Sequence, residues 1–124
     1  WEAMGRASDE KLGNLIAMVD INALQADGPT VGVLRTEPVA DKWTACGWHA
    51  QRVDGNNVDA LLNAFDNVRS EPVGVPSVIL CDTRVGRGVP LLENREKAHF
   101  MRIDADEWQI CRQQLTAGHE GALV

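Results

Sequence analysis

The sequence predicts an α/β fold, a three-layer parallel sheet with flanking helices. Three observations predict it. Short apolar runs bounded by turn-forming residues occur at positions 15–20, 48–54 and 77–83. Stretches with apolar residues at helical spacing separate and follow these runs. Turn residues stand at or shortly beyond the end of each run: Asn22, Asp54-Gly55 and Gly86-Arg-Gly88. Strand and helix in alternation imply parallel pairing with right-handed crossovers.

The elements follow in order. Residues 1 to about 11 read as the end of a helix closed near Gly13. The run from Leu15 to Val19 is short and apolar, ends in Asp20, and reads as a buried strand. Beyond it the chain offers the amide oxygen of Asn22 and the main-chain carbonyl of Leu24. Oxygen ligands two residues apart at a strand's carboxyl edge suit a hard cation such as Mg²⁺ that also holds phosphates. An ordinary Asn/Asp/Gly turn produces the same pattern, and Asp27-Gly28 is turn chemistry.

Pro38 suits the first turn of a helix in which Val39, Trp43 and Cys46 share a face, and Gly47 stops it. A second strand at 48–54 closes on Asp54-Gly55. Asn57 caps the next helix, whose stripe is Val58, Leu61, Leu62, Phe65 and Val68. A loop at 71–76 leads to the third strand, with Gly86-Arg-Gly88 at its carboxyl end. Asp104 and Glu107 stand at capping-box spacing before a last helix with Trp108, Cys111 and Leu115 as its inner face.

At 124 residues the chain reads as one domain, able to bury about two-thirds of its unfolded surface. Its net charge of -6 argues against a nucleic-acid or anionic-membrane surface. No apolar run approaches the roughly 20 residues that span a bilayer. The three cysteines, Cys46, Cys81 and Cys111, are odd in number and far apart. That spacing argues against zinc and disulfides and for inert, reduced thiols in a cytoplasmic protein.

The segment Leu12-Gly-Asn-Leu-Ile-Ala-Met-Val-Asp-Ile-Asn-Ala-Leu-Gln-Ala-Asp-Gly28 resembles the second half of the thiamine diphosphate signature of the transketolase family. Further segments resemble the family in order: Glu37 through Trp48-His49, Val53-Asp-Gly55, Pro76 through Val89, and Glu93-Asn94 through His99. The resemblance covers nearly the whole chain and is closest to the N-terminal half, or separate N-terminal subunit, of a transketolase. The Gly-Asp-Gly that opens the signature is absent, and the chain starts at Trp1 rather than Met. The expectation is therefore the diphosphate-binding domain of a transketolase-like enzyme over residues 1–124, truncated at its N-terminus and inactive alone.

The resemblance implies thiamine diphosphate and Mg²⁺ as cofactors, and transfer of a two-carbon ketol unit from a ketose to an aldose. Asn22 and Leu24 would be metal ligands by side-chain and main-chain oxygen. Val85 would pack against the cofactor, and Gly86 would let the chain pass close to it. His99 would donate to the diphosphate, although Phe100 follows it where the family has Gly. His49 reads as structural and His119 as solvated. Glu2, twenty residues before Asn22, would join an acidic network at a dimer interface. The implied partners are a pyrimidine-binding domain or C-terminal transketolase subunit and sugar substrates, in a homodimer or heterotetramer. The base-activating glutamate of the family lies outside this chain. A deoxyxylulose-phosphate synthase, a 2-oxo acid dehydrogenase component and a non-catalytic assembly subunit are the alternatives on the same scaffold.

Overall fold

The computed structural model describes residues 1–93, 95, 100 and 102–120, with only the backbone at 119 and 120. The chain divides into two compact units. The first comprises Trp1–Ile21 and Thr36–Thr83, the second Asn22–Arg35 and Arg84–Val124.

The first unit holds α1 (Glu2–Asp9), β1 (Ile16–Ile21), α3 (Val39–Ala45), β4 (His49–Asp54), α4 (Val58–Arg69) and β5 (Ser77–Asp82). Its three strands form a parallel sheet in the order β1-β5-β4. The last strand thus inserts between the two earlier ones, with Ile16 and His49 both in register with Ser77. A central strand is covered on both faces, which is why residues 77–81 read as a continuous buried run rather than an alternation.

Alternate residues of β5 feed two clusters on opposite faces. Val78 and Leu80 pack with Ala7 and Trp48, joined by Ala17, Val19, Ile21 and Trp43. Ile79 and Cys81 pack with Ala64 of α4, joined by Leu61, Phe65 and Val68. Val78, Ile79 and Leu80 are fully buried, each worth about 1.5–3 kcal/mol in transfer free energy. Trp48 meets Trp43 edge to face at 4.7 Å, and its indole N–H donates to the Met4 carbonyl at 2.9 Å, tying α1 to the sheet.

Most expected elements are present, with ends moved by a residue or two. α1 ends at Asp9, short of Lys11, and Gly47 at φ +82° stops the helix before β4. Asn57 Oδ1 accepts from Ala60 N at 3.1 Å as the cap of α4. The expected stripe of α4 needs correction: Val58 and Leu62 are exposed, whereas Ala64 is buried. Residues 61, 64, 65 and 68 make the inner face, and a small residue in it does not register as hydrophobic pattern. His49 opens β4, and its Nδ1 lies 3.0 Å from Glu71 Oε2.

The second unit holds β2 (Leu24–Gln25), β3 (Gly28–Pro29), α2 (Thr30–Val33), α5 (Pro90–Glu93) and α6 (Ala105–Glu120). The hairpin β2–β3 is antiparallel, with Gln25 opposite Gly28. The capping box at the start of α6 is reciprocal: Asp104 Oδ1 accepts from Glu107 N at 2.9 Å, and Glu107 Oε2 from Asp104 N at 3.2 Å. The expected inner face of α6 reduces to Cys111. Trp108 and Leu115 are about half exposed, at 53% and 47%.

Candidate functional site

Asn22 follows β1 directly and folds into an Asx turn. Its Oδ1 accepts from Leu24 N at 3.0 Å, Ala23 between them takes φ +59°, and the Ala23 carbonyl accepts from Thr30 N at 2.9 Å. An amide oxygen has two lone pairs, so one remains on Asn22 Oδ1 for a further donor or cation. Leu24 lies opposite Pro29, which has no N–H, so its carbonyl gains no ladder bond from that partner. Two hard oxygens of different origin thus stand two residues apart on a fixed turn. They suit Mg²⁺ in kind but fall short of an octahedron, so other ligands would have to complete it. No cluster of three or more His, Cys, Asp or Glu that could hold a metal occurs among the described residues.

Val85 and Gly86 belong to the same unit as Asn22 and Leu24, in the turn that follows β5 and residue 83. Gly86 takes φ +71°, and a Cβ there would come within 2.6 Å of Leu92 Cβ. Only glycine fits, both by backbone angle and by space. Val89 N donates to the Gly86 carbonyl at 3.0 Å. Glu93 closes the turn, accepting from Gly88 N at 2.8 Å and from Arg84 Nη1 at 3.0 Å. These bonds, led by the one from the Gly88 amide, hold the Glu93 carboxyl below the usual glutamate range.

Glu2 lies in the other unit, exposed in the first turn of α1. His99 lies outside the described residues. The structure therefore brings Asn22 and Leu24 together and holds Val85 and Gly86 in one braced turn.

Two polar arrangements at the carboxyl ends of the first unit's strands were not foreseen from sequence. Arg52 donates from Nε and Nη2 to both oxygens of Asp82, at 2.8 and 2.7 Å, and its Nη1 reaches Glu37 at 2.9 Å. Arg52 holds the Asp82 carboxyl below its ordinary range, and the pairing raises Arg52 in turn. The Thr83 hydroxyl donates to Asp20, while Thr83 N donates to the Ile21 carbonyl at 3.1 Å. Opposite charges thirty residues apart, on strands whose order is unknown from sequence, gave no signal. Cys46, Cys81 and Cys111 are free thiols, and burial pushes the Cys81 thiol up, as an inert cysteine requires.

The family model for the transketolase thiamine diphosphate binding domain matches residues 1–122. The chain belongs to that family. It is 49% identical over 118 residues to a transketolase family protein of Sinorhizobium fredii, covering 95% of this chain and 42% of that protein. A 6-deoxy-6-sulfo-D-fructose transketolase subunit of a Clostridium species is 36% identical over 115 residues, covering 93% of this chain and 42% of that one. The chain thus spans less than half the length of these relatives. Among solved structures, the transketolase of Campylobacter jejuni matches with a TM-score of 0.66 at 18% identity, covering 97% of this chain and 22% of that one. At that identity the match establishes the shared fold alone. The thiamine diphosphate-binding α/β fold expected from sequence is the one present. No helix among the described residues is long and apolar enough to cross a membrane.

Proposed function

We propose that this chain is the diphosphate-anchoring part of a cytoplasmic transketolase that moves a two-carbon ketol unit from a ketose to an aldose. The observation that carries this assignment is the Asx turn at Asn22, which fixes an amide oxygen and a main-chain carbonyl in a chain that matches the thiamine diphosphate-binding family along its length. Asn22 Oδ1 and the Leu24 carbonyl would ligate Mg²⁺, the only cation the assignment needs. Val85 would pack on the cofactor and Gly86 would give it close approach. His99 would donate an imidazole N–H to a diphosphate oxygen.

Thiamine diphosphate, when bound, supplies the electron sink for breaking the carbon–carbon bond. This chain's residues would hold and orient it and neutralise its phosphates through the metal, while proton transfer falls to a partner. A pyrimidine-binding domain or C-terminal subunit would supply that remainder, in a homodimer or heterotetramer, with Glu2 at the interface. The coverage of its relatives supports a larger working protein.

The test is made on the full-length protein with its partner subunit. Incubated with thiamine diphosphate, Mg²⁺ and a panel of ketose donors and aldose acceptors, it should yield products two carbons longer than the aldose by mass spectrometry. Cofactor binding without any two-carbon transfer across the panel would point instead to an assembly role.

A further inference from the structure

After β5, residues 84–92 wind through successive tight turns. Arg87 N donates to the Arg84 carbonyl at 3.2 Å, Val89 N to the Gly86 carbonyl at 3.0 Å, and Leu92 N to the Val89 carbonyl at 2.8 Å. Gly86 and Gly88 both take positive φ, at +71° and +92°. The short helix α5 turns Glu93 back toward the start of this loop. One carboxylate oxygen accepts the Gly88 amide and the other the Arg84 guanidinium. The Glu93 side chain is 12% exposed, whereas that of its partner Arg84 is 61% exposed. Glu93 therefore joins the two ends of the Arg84–Gly88 turn.

We infer that Glu93 is a positioning residue for the cofactor: by bracing Arg84 and Gly88 it holds the intervening Val85 and Gly86 ready to receive thiamine diphosphate. This rests on the function proposed above. Glu93 needs no contact with the cofactor. Without the brace, the turn samples several conformations, and apparent affinity falls by the fraction of molecules still in the competent one. The charge contributes as well as the shape. Glu93→Gln keeps an oxygen for the Gly88 amide but gives up the ion pair with Arg84.

The experiment uses the full-length protein with its partner subunit and has two readouts. Titration calorimetry with thiamine diphosphate at saturating Mg²⁺ should give a Kd raised about tenfold for Glu93→Ala and by less for Glu93→Gln, the range typical of residues that orient a ligand-binding group. In the cofactor-free protein, hydrogen exchange at the Gly88 amide should quicken in Glu93→Ala by about the same factor. Should Glu93→Ala unfold, the isosteric Glu93→Gln carries the comparison. A Kd within twofold of wild type for both variants, in a wild type that binds, overturns the role of Glu93 and leaves the cofactor assignment standing. A wild type that does not bind overturns the cofactor assignment, and the positioning role with it.

Discussion

Arg52 of β4 grips Asp82 of β5 through two parallel hydrogen bonds, at 2.8 and 2.7 Å, at positions thirty residues apart in the chain. The fork geometry matches guanidinium to carboxylate, the strong form of a surface ion pair. Both side chains remain close to half exposed, so water and salt screen the pair and its coupling should be about 1 kcal/mol or less. Asp82 has its folded pKa depressed. Its contribution is therefore complete above the unfolded aspartate value, near 4, and is lost as pH falls through the lower folded value. A double-mutant cycle with Arg52→Ala and Asp82→Ala should show coupling at pH 7 and little in strong acid. Coupling that did not change with pH would mean that the ion pair is not its source.

Ser77 makes the opposite prediction, that a deletion costs little. It is fully buried on the central strand, and its hydroxyl has no hydrogen-bond partner among the described residues. A buried hydroxyl left unpaired costs about 1–3 kcal/mol, and removing it recovers part of that against a small cavity. Ser77→Ala should leave the urea midpoint unchanged or raise it. A loss above about 1 kcal/mol would reveal a partner such as an ordered water bridging to the neighbouring strand's His49, whose Nε2 is also buried with no partner among the described residues.

His99 carries a separate expectation. If its imidazole donates to the diphosphate, His99→Ala should weaken thiamine diphosphate binding roughly ten- to hundredfold, the loss of a charged-group hydrogen bond of about 1.5–3 kcal/mol. Stability should hold. A cofactor Kd within twofold of wild type would show that His99, followed by Phe100 where the family has Gly, does not carry the family role.

What was legible in sequence was what is local. The run at 77–81, the Asn57 cap and the Asp104–Glu107 box each follow from neighbouring residues, and each formed. The Asn22 turn was legible for the same reason. Strand order was not: β1-β5-β4 depends on which strand inserts between which, and periodicity carries no such information. The hairpin β2–β3 has two residues per strand, too few to show alternation. Glu93 stood in a segment that resembles the family but drew no role from sequence, because its partners are a backbone amide and an arginine nine residues away. Of the candidate site, sequence thus supplied the residues that would meet the ligand and missed the one that braces them.

The central claim, that Asn22 helps to hold Mg²⁺ and through it thiamine diphosphate, is tested most directly by cofactor calorimetry on the full-length protein. Asn22→Ala removes both the candidate ligand oxygen and the acceptor for Leu24 N. Mg²⁺ tolerates a defective octahedron poorly, so thiamine diphosphate affinity should fall about ten- to hundredfold and recover in part as Mg²⁺ is raised. Wild-type affinity in Asn22→Ala, with an unchanged Mg²⁺ requirement, would show that Asn22 only shapes a turn and would contradict the account.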